Sequence, residues 1–107
     1  MTEIRIVYCT FPSVDQAQLV AEDLVSSGLA ACVNVSQPVL SVYQWEGKLC
    51  REQEVQATFK TTSSALEALY ARVRELHSYD CPELIALPVI GGSEDYVAWV
   101  QEQVRSS

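Results

Sequence analysis

The chain has 107 residues, 49% of them apolar and 20% charged, with 14 Asp and Glu against 7 Lys and Arg for a net charge of −7. A chain of this length forms one domain, read here as residues 1–107, and can withdraw roughly two-thirds of its extended surface from water. Seven scattered cations exclude binding to a phosphate backbone or an anionic membrane, and the apolar fraction excludes wholesale disorder.

Four cysteines, Cys9, Cys32, Cys50 and Cys81, are widely spaced and form no C-x-x-C pair. The segment from Met1 to Tyr8 mixes acid and base without the apolar run of a signal peptide, and no stretch nears the ~20 apolar residues of a membrane helix. Free thiols in a reducing cytoplasm are therefore expected, most of them acting as small buried hydrophobes.

Ile4, Ile6 and Tyr8 alternate with Arg5, Val7 and Cys9 in a short strand that stops at Phe11-Pro12. Ser13 to Gln16 reads as a capping box, and Val14, Ala17, Val20, Ala21, Leu24 and Val25 recur at helical spacing until Gly28 offers a left-handed stop. Ala30 to Trp45 is a long β-prone run with Val33, Val35, Val39, Tyr43 and Trp45 on one parity. Pro38 interrupts it, which requires a bulge or an edge. Glu46-Gly47 is a turn, and Lys48 to Thr61 returns as the second arm of a hairpin. Ser64 to Glu67 is a second capping box, opening a helix whose apolar stripe runs from Leu66 to His77. Cys81 to Ile90 reads as a short strand between Pro82 and Pro88. After the Gly91-Gly92 turn, Ser93 caps a last helix carrying Val97, Val100 and Val104. The order is β-α-β-β-α-β plus a C-terminal helix, an α+β class with the ferredoxin-like split βαβ pattern and a long hairpin.

That hairpin is too long for its own domain. Arms of about 15 residues span roughly 50 Å, whereas a domain of this size is only about 35 Å across. The tip carries Val42, Tyr43 and Trp45, whose burial stabilises by a few kcal/mol on the order of 25 cal/mol/Å². An oligomer in which each chain donates an edge to the next is expected. The competing arrangement is a monomer whose C-terminal helix covers the tip.

Few constellations carry chemistry. Gly91-Gly92 could receive an anion at a helix N-terminus, but Glu94-Asp95 repel one, and a structural turn is the better reading. His77 is the sole histidine, near Tyr79, Cys81 and Glu83, and any imidazole role falls to it. As a satisfied core residue or a helix-terminal cation it needs no function. A Cys–His nucleophile lacks the local sequence that would activate it. A soft metal is easier to accommodate, although one His with scattered Cys is too few for a site within one chain.

The segments Tyr8-Cys9-Thr10 with Pro12, Leu29 to Asn34, Tyr43 to Lys48, Glu54, Phe59-Lys60-Thr61, His77-Ser78-Tyr79 and Cys81 to Leu84 occur in order, followed by Leu87-Pro88-Val89, Tyr96 and Trp99. Together they resemble the CutA family, the divalent-cation tolerance proteins. The resemblance implies a single CutA-like domain, a homotrimer joined through the long strands, heat resistance, and a non-enzymatic role in tolerance of or response to metal ions. It also implies copper, or another divalent metal ion, as the cofactor class, with Cys9 and His77 in the positions of metal ligands. Leu76 stands where a second histidine would be, which removes one ligand. Cys32, Tyr43, Trp45, Lys60, His77, Tyr79, Glu83 and Trp99 are the residues expected around an intersubunit cavity. The alternative is a structural or signalling trimer, by analogy with PII proteins, that binds a small ligand or partner protein in its clefts without a direct metal role. No nucleic-acid or membrane partner is implied.

Overall fold

Strand β1, Ile4–Phe11, has two faces, with Val7, Cys9 and Phe11 buried on one side and Ile6, Tyr8 and Thr10 only partly covered on the other. The computed structural model describes residues 2–105. Met1 and residues 106–107, the ends of the expected 1–107 span, lie outside the described residues. β1 runs antiparallel to β4, Lys48–Thr62, over its whole length, and to β5, Ile85–Pro88, over Arg5–Tyr8. β2, Cys32–Val35, and β3, Val39–Trp45, both pair antiparallel with β4, the first with residues 57–60 and the second with 48–54. The sheet order is β2-β4-β1-β5, with β3 extending along the free half of β4. The result is a mixed α/β fold with an antiparallel sheet and, among the described residues, three α-helices.

The break at Pro38 falls where a missing N–H requires it. Ser36 holds the register across the gap, donating its N–H to the Gln56 carbonyl while its Oγ accepts from the Gln56 N–H, both at 2.9 Å. At the tip, Glu46 and Gly47 have φ of 52° and 78°, the two positive values of a type I′ turn.

Helix α1, Val14–Ser26, begins as expected: Ser13 Oγ accepts from the Gln16 N–H at 3.2 Å. The reciprocal half of the capping box is not made, because Gln16 Oε1 accepts instead from Ser78 Oγ. At the other end Gly28, φ 78°, donates to Val25 and Leu29 donates to Leu24, a Schellman closure. The second expected box is corrected. Ser63–Ala65 form a 3-10 turn, and α2, Leu66–Leu76, starts after Ala65 without a side-chain cap. The Ser63 and Ser64 hydroxyls are drawn to Glu3 and Thr62 instead. His77 leaves the helix in extended geometry, φ −79° and ψ 142°. The strand expected over Cys81 to Ile90 shrinks to Ile85–Pro88, because β1 pairs with it over only four residues and Pro82 has no N–H to give. Ser93 stands at the N-cap of α3, Glu94–Gln103, but makes no side-chain bond; its carbonyl accepts from Val97.

Helices α1 and α2 cover one sheet face, where Val7, Phe11, Val20, Leu24, Phe59 and Leu69 form the main core. α3 packs at the Ile4 end through Val100 and Val104, against Ala31 and Ala65. It therefore lies at the opposite end of β4 from the hairpin tip, where Trp45 is 56% exposed beside exposed Leu40, Val42 and Leu49. The long axis reaches 44 Å against 25 and 23 Å for the other two. The alternating apolar pattern thus ends in a core only for Val33, Val35, Val55, Ala57 and Phe59. Val39, Trp45 and Leu49 continue the pattern into solvent.

Candidate functional site

The main chain leaving α2 organises the first group of expected site residues. His77 stacks on Phe11, ring centroids 4.5 Å apart and 14° from parallel. Its Nε2 lies 2.7 Å from the Thr10 carbonyl, so that nitrogen carries the proton and donates it. Its Nδ1 accepts the Tyr79 N–H at 3.0 Å. Both ring nitrogens are engaged, and burial holds the imidazole below its usual titration range, only partly opposed by the Thr10 carbonyl and Glu54. The Cys9 thiol also points at the Thr10 carbonyl, 3.8 Å away. Burial, with Glu83 and then Glu54 nearby, pushes that thiol up to about 12.

Cys9 and His77 are therefore brought together on one acceptor, each with its proton committed to it. A metal would need the thiolate and a bare imidazole nitrogen. In this arrangement the pair does not fit a copper site, and among the described residues no three His, Cys, Asp or Glu side chains are placed to hold an ion. No step through a metal follows from this geometry.

Of the residues expected around a cavity, His77 is buried and lines neither pocket, and the others separate into two groups within one chain. Tyr43, Trp45, Tyr79 and Glu83 line a cleft of about 640 Å³ between the hairpin and the loop after α2. Glu52, Glu54 and Asp80 line it too and were not singled out as cavity residues. Tyr79 Oη donates to Glu54 Oε2 at 2.8 Å, and the Tyr43 hydroxyl donates to Glu52. Desolvation first, then Glu54, holds the Tyr79 phenol protonated far above ordinary pH, while Glu52 pushes Tyr43 up to about 12. The signal that would have placed Glu52 and Glu54 in the cleft is parity. Glu52 and Glu54 are two apart on a strand, and Tyr43 pairs with Cys50 on that same face.

Cys32, Lys60 and Trp99 gather instead around Tyr96, on the sheet face away from α1 and α2. Lys60 Nζ sits 5.5 Å over the Tyr96 ring and 3.5 Å from Asn34 Oδ1, Cys32 Sγ is 3.7 Å from the Tyr96 hydroxyl, and Trp99 tilts against Tyr96 at 5.6 Å. The Tyr96 hydroxyl raises the ammonium's titration further, with Cys32 adding to it. Register explains the grouping, since Cys32 and Lys60 are direct partners across β2 and β4. Tyr96 follows from its place one helical turn before Trp99.

This architecture is shared with solved proteins. The CutA1 crystal structure from Oryza sativa matches with a TM-score of 0.96 at 40% identity, covering 99% of this chain and 97% of that one. That defines the class: a mixed α/β protein built like CutA1, with three helices on an antiparallel sheet. The family model described as CutA1 divalent ion tolerance protein matches residues 5–103, and the chain belongs to that family. The divalent-cation tolerance protein CutA of Thermus thermophilus is 40% identical over 98 residues, 92% of this chain and 95% of that one. The chloroplastic CutA of Arabidopsis thaliana is 42% identical over 101 residues, 94% of this chain, which spans 56% of that protein's length. The family model and the Thermus relative are named for tolerance of divalent ions. No helix among the described residues is long and apolar enough to cross a membrane.

Proposed function

We propose that residues 1–107 are one ferredoxin-like domain of a heat-resistant, cytoplasmic, non-enzymatic homotrimer that acts in tolerance of or response to divalent metal ions, copper among them. The observation that carries the assembly is the hairpin tip, where Leu40, Val42, Trp45 and Leu49 stand exposed beyond the body of the domain. Burying such a patch against other copies relieves an otherwise aggregation-prone edge. In the trimer, the cleft beside the hairpin and the Lys60–Tyr96 group of a neighbour would combine into the intersubunit cavity. Light scattering on the purified protein tests the assembly: three chains, about 36 kDa, is expected from the 11.9 kDa mass, and a 12 kDa species rejects it.

For the metal role, the ligands proposed are Cys9 and His77, reached only if both give up the Thr10 carbonyl. Titration with copper(I) and zinc beside Cys9→Ser and His77→Ala variants tests this. Tight binding lost in both variants supports direct ligation. Unchanged weak binding supports the second reading, a structural or signalling trimer that holds a small ligand or partner protein in its clefts. The engaged nitrogens of His77 and the protonated Cys9 favour that second reading.

A further inference from the structure

We propose that the sheet face turned away from α1 and α2 seats a second copy of this chain, with Lys60 of one copy paired to Glu54 of the next. This names the contact within the assembly proposed above and rests on that reading, but not on any metal.

The face itself supplies the first observation. An antiparallel sheet covered by helices on one side ordinarily turns polar residues outward on the other. Two cross-strand rows depart from that here: Leu87, Ile6 and Lys60 stand level with one another, and so do Ile85, Tyr8 and Thr58. Ile6 and Tyr8 are half-buried, Ile85 and Leu87 are 52% and 40% exposed, and α3 packs only at the Ile4 end. Continuity is the second observation. Lys60, Thr58, Gln56 and Glu54 share one side of β4. The face therefore runs unbroken from the Lys60–Tyr96 group into the cleft beside the hairpin, which Thr10, level with Gln56, also lines.

The third is charge. Six residues of strand hold Lys60 and Glu54 roughly 20 Å apart in one chain, too far to meet. Among the described residues neither has an ion-pair partner. Lys60 rests on the Tyr96 ring and Asn34, while Glu54 accepts at Oε2 from the neutral Tyr79 hydroxyl, which leaves Oε1 for another donor. The other cations are placed elsewhere. Arg5 and Arg72 are engaged by carbonyls and carboxylates of their own chain, and Lys48 sits at the tip. Arg51 has the opposite parity on β4, and Arg74 and Arg105 lie on α2 and beside Gly28. A face positive at one end and negative at the other complements a copy of itself where the opposite ends meet, a contact that a closed ring repeats.

A double-mutant cycle on the full chain tests the contact. Its readout is the concentration at which the assembly half-dissociates, followed by analytical ultracentrifugation at a fixed urea concentration. The parent is measured first: a monomer rejects both the assembly and this contact, whereas an assembled parent leaves the contact to the cycle. Lys60→Met keeps the aliphatic body over Tyr96, and Glu54→Gln keeps an acceptor for the Tyr79 hydroxyl. Each is expected to raise that concentration about tenfold or more. The double variant should go no more than about threefold beyond the larger single change, since removing both charges leaves neither stranded. Effects that multiply in the double variant, or a Lys60→Met variant that assembles like the parent, overturn the pairing. Should circular dichroism show Glu54→Gln misfolded, Lys60→Glu takes its place. A like charge opposite Glu54 should weaken assembly about tenfold beyond Lys60→Met, and equal effects of the two overturn the pairing.

Discussion

The Nε2 of His77 donates to the Thr10 carbonyl at 2.7 Å, and that contact, with the ring stacked on Phe11, ties the end of α2 to the central strand β1. Because the imidazole is held neutral by burial, its folded titration point lies below the unfolded value of about 6.5. A depressed folded pKa contributes stability that is present above the unfolded value and lost as pH falls from there through the folded value. The thermal midpoint at fixed protein concentration should therefore drop between pH 7.5 and 5. In His77→Gln, which keeps an N–H for Thr10 but does not titrate, the slope over that window should be clearly smaller. Parallel slopes would remove His77 as its source.

Thr61 is fully buried and donates its hydroxyl to the Leu29 carbonyl at 2.7 Å, joining β4 to the end of α1. Thr61→Val keeps the shape and strands that acceptor. A loss of about 1–3 kcal/mol in denaturant unfolding is expected. Thr61→Ser, which retains the hydroxyl, should lose less.

Two residues at positive φ give opposite expectations. Gly28→Ala places a Cβ in left-handed backbone and against the Arg105 side chain at 2.8 Å, and should destabilise by about 1–2 kcal/mol. Glu46→Gly relieves a non-glycine residue at φ 52° in the tip turn and should raise the thermal midpoint slightly. The two thermal midpoints, measured against the parent protein, check both.

At the exposed hairpin tip, Val42→Asp combined with Trp45→Ser removes apolar surface that the single chain does not cover. The domain core, centred on Phe59 and Leu69, is elsewhere. Far-ultraviolet circular dichroism should therefore be retained while light scattering reports dissociation. An unchanged mass would mean that the tip is not the joint.

Much of the fold was legible because its signals are local. Ser13 and Gly28 bracket α1 through their own backbone geometry, Pro38 breaks a strand because it has no N–H, and Glu46-Gly47 turns the chain within two residues. Ser93 holds the N-cap position without a side-chain bond, whereas the box read from Ser64 is not made because the chain there is a 3-10 turn and α2 starts only after Ala65. The Ser63 hydroxyl donates to Glu3, far away in sequence, and the Ser64 and Thr62 hydroxyls are hydrogen-bonded to each other. The extent of β5 likewise depended on how much of β1 was offered to it.

The sequence alone determined the family and the order of elements, and it supplied candidate site residues without Glu52 or Asp80 among them. It could not say which of them meet. Only the folded chain decided that Cys9 and His77 direct their protons at Thr10, that buried Glu54 accepts from Tyr79, and that Lys60 faces Tyr96 on the opposite side of the sheet from the main core. Those are facts of register and burial, set by strands paired across dozens of residues, and no local pattern encodes them.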